Sequence, residues 1–289
     1  MARPLRIEYT GALYHVMSRG NAYQDIFRTI KDRKAFLNSL ADCIELHNLI
    51  CHAYCLMDNH YHLLIETPDA NLSKAMRDIN GNYTQKFHKH NGTIGHILQG
   101  RYKANLIEKE SYFLEVVRYI VNNPVKEGLV ENPAEWLWSS YNQTRGSQKK
   151  YDWLTIDFTL GCFSEDVKTA RKLYEKFVQD RINAESPYKD LKNNFILGSQ
   201  QFIDWVWDNH SKGSECKKEI PRKQRIVGRP SLEELFDECK SIEDRNKTII
   251  FARYRCGYLT SEIAKHIGLE RSVVGRISRK AYNNTHNTT

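Results

Sequence analysis

Residues 57–66 read MDNHYHLLIE, with two histidines one residue apart ahead of an apolar run. Side chains alternate across a β-strand, so His60 and His62 share one face while Tyr61 points to the other. Two imidazoles side by side on a rigid strand can grip one metal ion. Ordinary half-buried strand histidines show the same spacing, and the pair alone does not separate the two readings. Cys51 and Cys55 flank His52 close by. A C-x3-C pair with nothing matching it elsewhere reads as buried strand cysteines in preference to zinc ligands.

A second candidate lies in KESYFLEVVRYIVNN, residues 109–123. On a helical wheel Phe113, Val116, Val117, Ile120 and Val121 cluster on one face. Tyr119 stands at the rim of that face, and Asn123 follows one turn later on the same flank. A tyrosine meant only for the core would sit among the valines. This one has a small ligand-capable residue beside it, although a half-exposed interface tyrosine fits the helix equally well.

The elements that must position these residues can be traced from the spacing of apolar positions. Residues 12–18 read as a strand, 30–48 as a helix, and 50–57 and 60–66 as two strands joined through Asp58-Asn59, a hairpin signal. A helix from about Asn71 to His88 follows, then a strand over 101–108 and the helix over 109–123, stopped by Pro124. Strand, helix, strand, strand, helix, strand is the order of a ferredoxin-like α+β sandwich with an antiparallel sheet. Residues 164–210 look mostly helical and carry no recognisable chemistry.

The chain has 289 residues and a formal net charge of +8. Residues 211–280 hold 17 Lys+Arg against 10 Asp+Glu, so nearly all the excess lies there and points to an appended polyanion-binding module. No stretch approaches the roughly 18 apolar residues of a membrane span, and MARPLRIEYTG lacks the apolar core of a secretory signal. Seven scattered cysteines make a disulfide framework improbable, and a cytoplasmic location is expected. The division expected is 1–143 for the sandwich, 144–216 for a mostly helical connecting region, 217–230 for a basic linker and 231–289 for an all-α DNA-binding domain.

Four segments occur in order: YHVMSRGN (14–21), MDNHYHLLIE (57–66), GRYKANLIE (100–108) and RYIVNNPV (118–125). Together they resemble the single-tyrosine HUH transposases, in which two histidines flank a bulky apolar residue, and most closely the REP-associated tyrosine transposases. The resemblance covers roughly residues 5–143. It implies a divalent cation, Mg²⁺ or Mn²⁺, held by His60, His62 and Asn123, with Tyr119 as the catalytic nucleophile. It further implies cleavage and transfer of single-stranded DNA hairpins with flanking DNA, in the nucleoid of a bacterium, through a 5′-phosphotyrosine. A non-catalytic DNA-binding regulator derived from such an enzyme is the alternative. Monomer and homodimer both remain open, the monomer favoured.

Arg19, Arg101 and Lys103, at strand ends near the histidines, are the candidates for gripping DNA. In the tail, TSEIAKHIG and RSVVGRISRKAY have helix-turn-helix spacing, with Gly268 at the turn. The second of these helices would present Arg271, Ser272, Arg276, Arg279 and Lys280 to a major groove. This segment resembles the DNA-binding domain of bacterial replication initiators.

Overall fold

The computed structural model describes residues 7–182, 185–191, 195–210, 230–237, 239, 241–254, 256 and 258–286, with the backbone alone given at 190, 254 and 279–286. These fall into two units, Arg6–Ser199 and Gln200–Thr289.

The first unit is built on a sheet of five strands in the order β2-β3-β1-β4-β5. β1 (Ala12–Arg19) lies at its centre, antiparallel to β3 (His60–Thr67) on one side and to β4 (Lys103–Ile107) on the other. β2 (Ile50–Leu56) pairs antiparallel with β3 across the Asp58-Asn59 turn. α1 (Ile30–Leu46) starts at a capping box in which the Thr29 hydroxyl accepts from the Asp32 amide at 3.2 Å and the Asp32 carboxylate accepts from the Thr29 amide at 3.0 Å. α2 (Leu72–Asn91) ends at Gly92, whose φ of 63° is the left-handed conformation that glycine adopts without penalty.

One face of the sheet carries an aromatic core that includes Tyr61. Its ring lies 4.6 Å from that of Phe36 in α1, and its hydroxyl donates to Asn80 in α2 at 2.6 Å. The opposite face is covered by α3 (Lys109–Val121). At the start of α3 the Glu66 carboxylate accepts from Lys109 at 2.7 Å and from His52 at 3.0 Å, and Phe113 packs edge-on against His52. That half-buried anchor fixes where the far end of α3 meets the sheet.

Two expectations need correction. The sheet is mixed and not wholly antiparallel, because β5 (Ile196–Leu197) adds in parallel beside β4. At two residues β5 is too short to leave an alternating pattern in the sequence. Pro124 also does not end the helical path. α3 stops at Val121, and α4 (Asn123–Lys126) makes one further turn with Pro124 in its first positions, where a missing N–H costs nothing. The path continues through α5 (Tyr141–Thr144), α6 (Asp157–Gly161) and α7 (Val167–Gln179), then a 3₁₀ turn at Pro187–Asp190.

The second unit contains α8 (Gln200–His210), α9 (Leu232–Asp237), α10 (Ile242–Tyr254), α11 (Thr260–Ile267) and α12 (Arg271–His286). Ile249, Ala252, Ile263, Ala264 and Val274 form its buried centre, with Leu235, Phe236 and Ile277 packed around them. Gly268, at φ 68°, turns the chain between α11 and α12. Most of the basic stretch 217–230 lies outside the described residues. Among the described residues, no helix is long and apolar enough to cross a membrane.

Candidate active site

β3 places His60 and His62 on the face covered by α3, where β1 pairs Met17 with His62 and Arg19 with His60. His60 donates from Nδ1 to the Asn59 side-chain oxygen at 2.6 Å, which leaves the lone pair on Nε2. That Nε2 lies 3.6 Å from a carboxylate oxygen of Glu127. His62 is fully enclosed. Its Nδ1 meets Nε2 of His15 at 2.9 Å, while its own Nε2 is buried with no hydrogen-bond partner among the described residues.

Burial holds these imidazoles neutral. It depresses His15 to about 3 and His62 well below the ordinary range, the latter helped by His15 and His60 beside it. For His60 burial also lowers the pKa, against an opposing pull from Glu127. Neutral imidazoles with free lone pairs are the form in which histidine ligates metals.

Tyr119, near the end of α3, reaches the same cluster. Its ring packs edge-on 6.1 Å from that of His62 and 5.9 Å from that of His15. On its other side the Lys126 ammonium stands 4.4 Å over the ring, a cation–π arrangement. Burial pushes the phenol pKa up, a hydrogen bond with Ser186 pulls it down, and the Glu127 carboxylate adds a smaller upward push. Asn123 is buried one turn on, its amide N–H₂ donating to the Tyr119 carbonyl at 2.8 Å. That bond orients the amide and leaves its oxygen as the capable donor to a cation.

The donor set fits a divalent ion. The orphaned Nε2 of His62 is a buried acceptor that a cation would satisfy, and His60 presents a second lone pair. Among the described residues no three His, Cys, Asp or Glu side chains gather into a cation site by themselves. A third donor would therefore be a neutral oxygen such as that of Asn123. Cys51 and Cys55 are both buried, and neither belongs to a group of three His, Cys, Asp or Glu side chains among the described residues.

Beside the histidines opens a cleft of about 310 Å³, lined by Arg19, Arg101 and Lys103 as well as His60, His62 and Glu127. The structure thus gathers all three cations expected from the sequence at one opening. Arg19 is held by Gln99 and by the Tyr23 hydroxyl at 3.1 Å. On α12, Arg271, Ser272 and Arg276 are exposed or half-exposed, while the side chains of Arg279 and Lys280 lie outside the described residues.

Residues 8–123 match the family model described as transposase IS200 like. That segment is similar to an IS200-like transposase domain. The match spans His15, His60, His62, Tyr119 and Asn123 and stops short of Glu127, Ser186 and Tyr188. Among solved structures, the chain is similar to a REP-associated tyrosine transposase bound to a REP hairpin, at 20% identity and a TM-score of 0.45 over 54% of this chain and 92% of that one. It is also similar to a candidate transposase from Deinococcus radiodurans R1, at 15% identity and a TM-score of 0.31 over 42% of this chain and 96% of that one. No curated protein matches the chain.

Sequence reasoning missed His15 and Glu127. Glu127 lies one turn beyond Asn123 on the flank of Tyr119, a spacing that Pro124 masks by reading as a helix stop. His15 lies in the segment YHVMSRGN but was given no role there, and the pairing of β1 with β3 brings it to the site.

Calorimetric titration with Mn²⁺ should find one site that His60→Ala and His62→Ala each abolish. Asn123→Ala should weaken it less, as one neutral donor among three. Unchanged affinity in His60→Ala would rule out this ligand set.

Proposed function

We propose that this chain is a metal-dependent single-stranded DNA endonuclease and strand transferase that acts on hairpin-forming repeats through a covalent 5′-phosphotyrosine on Tyr119. The observation that carries the reading is the packing of Tyr119 against His62 and His15 inside a segment similar to an IS200-like transposase domain.

When held by His60, His62 and Asn123, a divalent cation supplies Lewis-acid polarisation and charge neutralisation at a phosphate. The rest falls to the side chains. Arg19, Arg101 and Lys103 draw the DNA backbone into the cleft and hold it in register. Tyr119 gives up its phenolic proton and its oxygen bonds to phosphorus. The bond from phosphorus to the 3′-oxygen breaks, and that oxygen takes up a proton as a free hydroxyl. The phosphotyrosine keeps the energy of the broken linkage, so a second 3′-hydroxyl can reverse the step and join a new end. Burial and Glu127 keep the resting phenol protonated, and the hydrogen bond with Ser186 favours the anionic form as attack begins.

A single strand suits this geometry better than a duplex. Attack must come in line with the leaving oxygen. Within a duplex that geometry requires unstacking at a few kcal/mol per step, a cost that a flexible strand at the foot of a hairpin escapes. Incubation with a labelled hairpin oligonucleotide should give a denaturant-resistant protein–DNA species with wild-type protein and none with Tyr119→Phe, which should still bind the DNA. Equal cutting of the same sequence as a perfect duplex, on both strands, would contradict the proposal.

The tail extends the same reading. The turn at Gly268 and the Arg271, Ser272 and Arg276 surface of α12 suit a helix-turn-helix that grips a neighbouring duplex. Replacing Arg271 and Arg276 with alanine should lower affinity for duplex-flanked hairpins. The slope of log affinity against log salt should flatten by about 0.7–0.9 for each phosphate that is no longer neutralised. An unchanged slope would remove α12 from the DNA interface.

A further inference from the structure

The site face of the sheet carries a hydrogen-bonded series that runs away from His62 and ends in a residue beyond the transposase match. His62 Nδ1 meets His15 Nε2 at 2.9 Å, with the ring centroids 5.0 Å apart and the planes inclined by 21°. His15 Nδ1 in turn meets the Tyr188 hydroxyl, with those ring centroids 5.2 Å apart. Tyr188 is further hydrogen-bonded to the side chain of Asn105, the β4 residue in register with His15. It is carried by the 3₁₀ turn at Pro187–Asp190, and its ring meets Tyr119 edge-on at 5.1 Å.

We infer that His15 and Tyr188 are positioning residues that fix the tautomer and ring rotation of His62, so that its Nε2 presents a lone pair to the divalent cation. The inference rests on the metal reading above. Proton bookkeeping along the series leads to it. A neutral imidazole has one N–H, and an Nε2 that ligates a cation requires that N–H on Nδ1. His62 Nδ1 has one neighbour to donate to, His15 Nε2, which must then accept. The His15 proton is thereby placed on Nδ1, where the Tyr188 oxygen accepts it beside its hydrogen bond with the Asn105 side chain. Each link carries one proton in one direction. Run the other way, the series puts a proton on His62 Nε2, a buried position where no described residue accepts it. Only a lone pair on that nitrogen can be satisfied by a cation, so the bound ion selects the direction that leaves a lone pair facing the site.

Ring orientation supports the same role. The rings of His62 and Tyr188 are inclined to that of His15 by only 21° and 24°, so rotating His62 out of this common orientation would break its in-plane bond to His15. Outer partners of metal-bound histidines set both tautomer and orientation, and their removal typically costs about 10–100-fold in metal affinity. The unusual part is the source of the support. A histidine on the central strand is steadied by a tyrosine more than 170 positions later in the chain.

The test uses the intact protein and Mn²⁺ alone, titrated calorimetrically into wild type, Tyr188→Phe, His15→Phe, His15→Gln and His62→Ala, with thermal midpoints recorded for each. Tyr188→Phe keeps the ring and removes the hydroxyl. It and His15→Phe should weaken Mn²⁺ affinity by about 10–100-fold, and His15→Gln, which can still accept from His62, should recover part of that affinity. The Mn²⁺ concentration giving half-maximal strand cleavage should rise in step, more than the maximal rate falls. A wild-type affinity in Tyr188→Phe, beside an abolished site in His62→Ala, overturns this inference alone. Wild-type protein that takes up no Mn²⁺, or His62→Ala that binds it unchanged, overturns the metal reading and this inference together.

Discussion

The register of β3 is the constraint on which the site depends. Tyr61 sits between His60 and His62 and points into the core formed with α1 and α2. Its ring is set against Phe36, and its hydroxyl is committed to Asn80. Because strand side chains alternate, enclosing Tyr61 on that side obliges both histidines to emerge on the side of α3. A slip of one residue would bury two imidazoles in an aromatic core and send Tyr61 to the cleft. The bulky middle residue of the His-x-His segment is therefore structural, and the chemistry borrows its precision.

A second anchor sets what the histidines face. Glu66, on the same strand and the same face, holds the start of α3 through Lys109 and His52. Imidazole and lysine keep its carboxyl below the usual carboxylate range, so the tie persists at neutral pH and weakens as pH falls through the depressed value. α3 then runs over the sheet until Tyr119 meets His62 and His15. Two ends of one strand thus hold two ends of one helix, and the phenol is placed by backbone geometry more than by its own contacts.

Much of this was legible in the residues. The strands expected over 12–18, 50–57 and 60–66 form close to those bounds as apolar runs buried on both faces, the Asp58-Asn59 turn marks the hairpin, and the valine face of α3 leaves Tyr119 at its rim. What stayed hidden depends on distance along the chain. β5 has only two residues and no pattern. Ser186 and Tyr188 reach Tyr119 and His15 because β5 brings their segment back beside β4, which no local spacing encodes. Glu127 was concealed by Pro124, which reads as a helix stop but sits in the first turn of α4. Local periodicity reveals elements, whereas the partners of a buried imidazole are chosen by packing.

The central claim is that Tyr119, not another phenol, carries the DNA. Tyr188 stands 5.1 Å from it, ring to ring, and offers a demanding control. The decisive measurement is peptide mapping by mass spectrometry of the adduct formed between the full-length protein and a single-stranded hairpin oligonucleotide in the presence of Mn²⁺. A nucleotide linked through a 5′-phosphate to Tyr119 alone is the result expected. A nucleotide on Tyr188 or any other residue, or cleaved DNA with no linked peptide, would contradict the account.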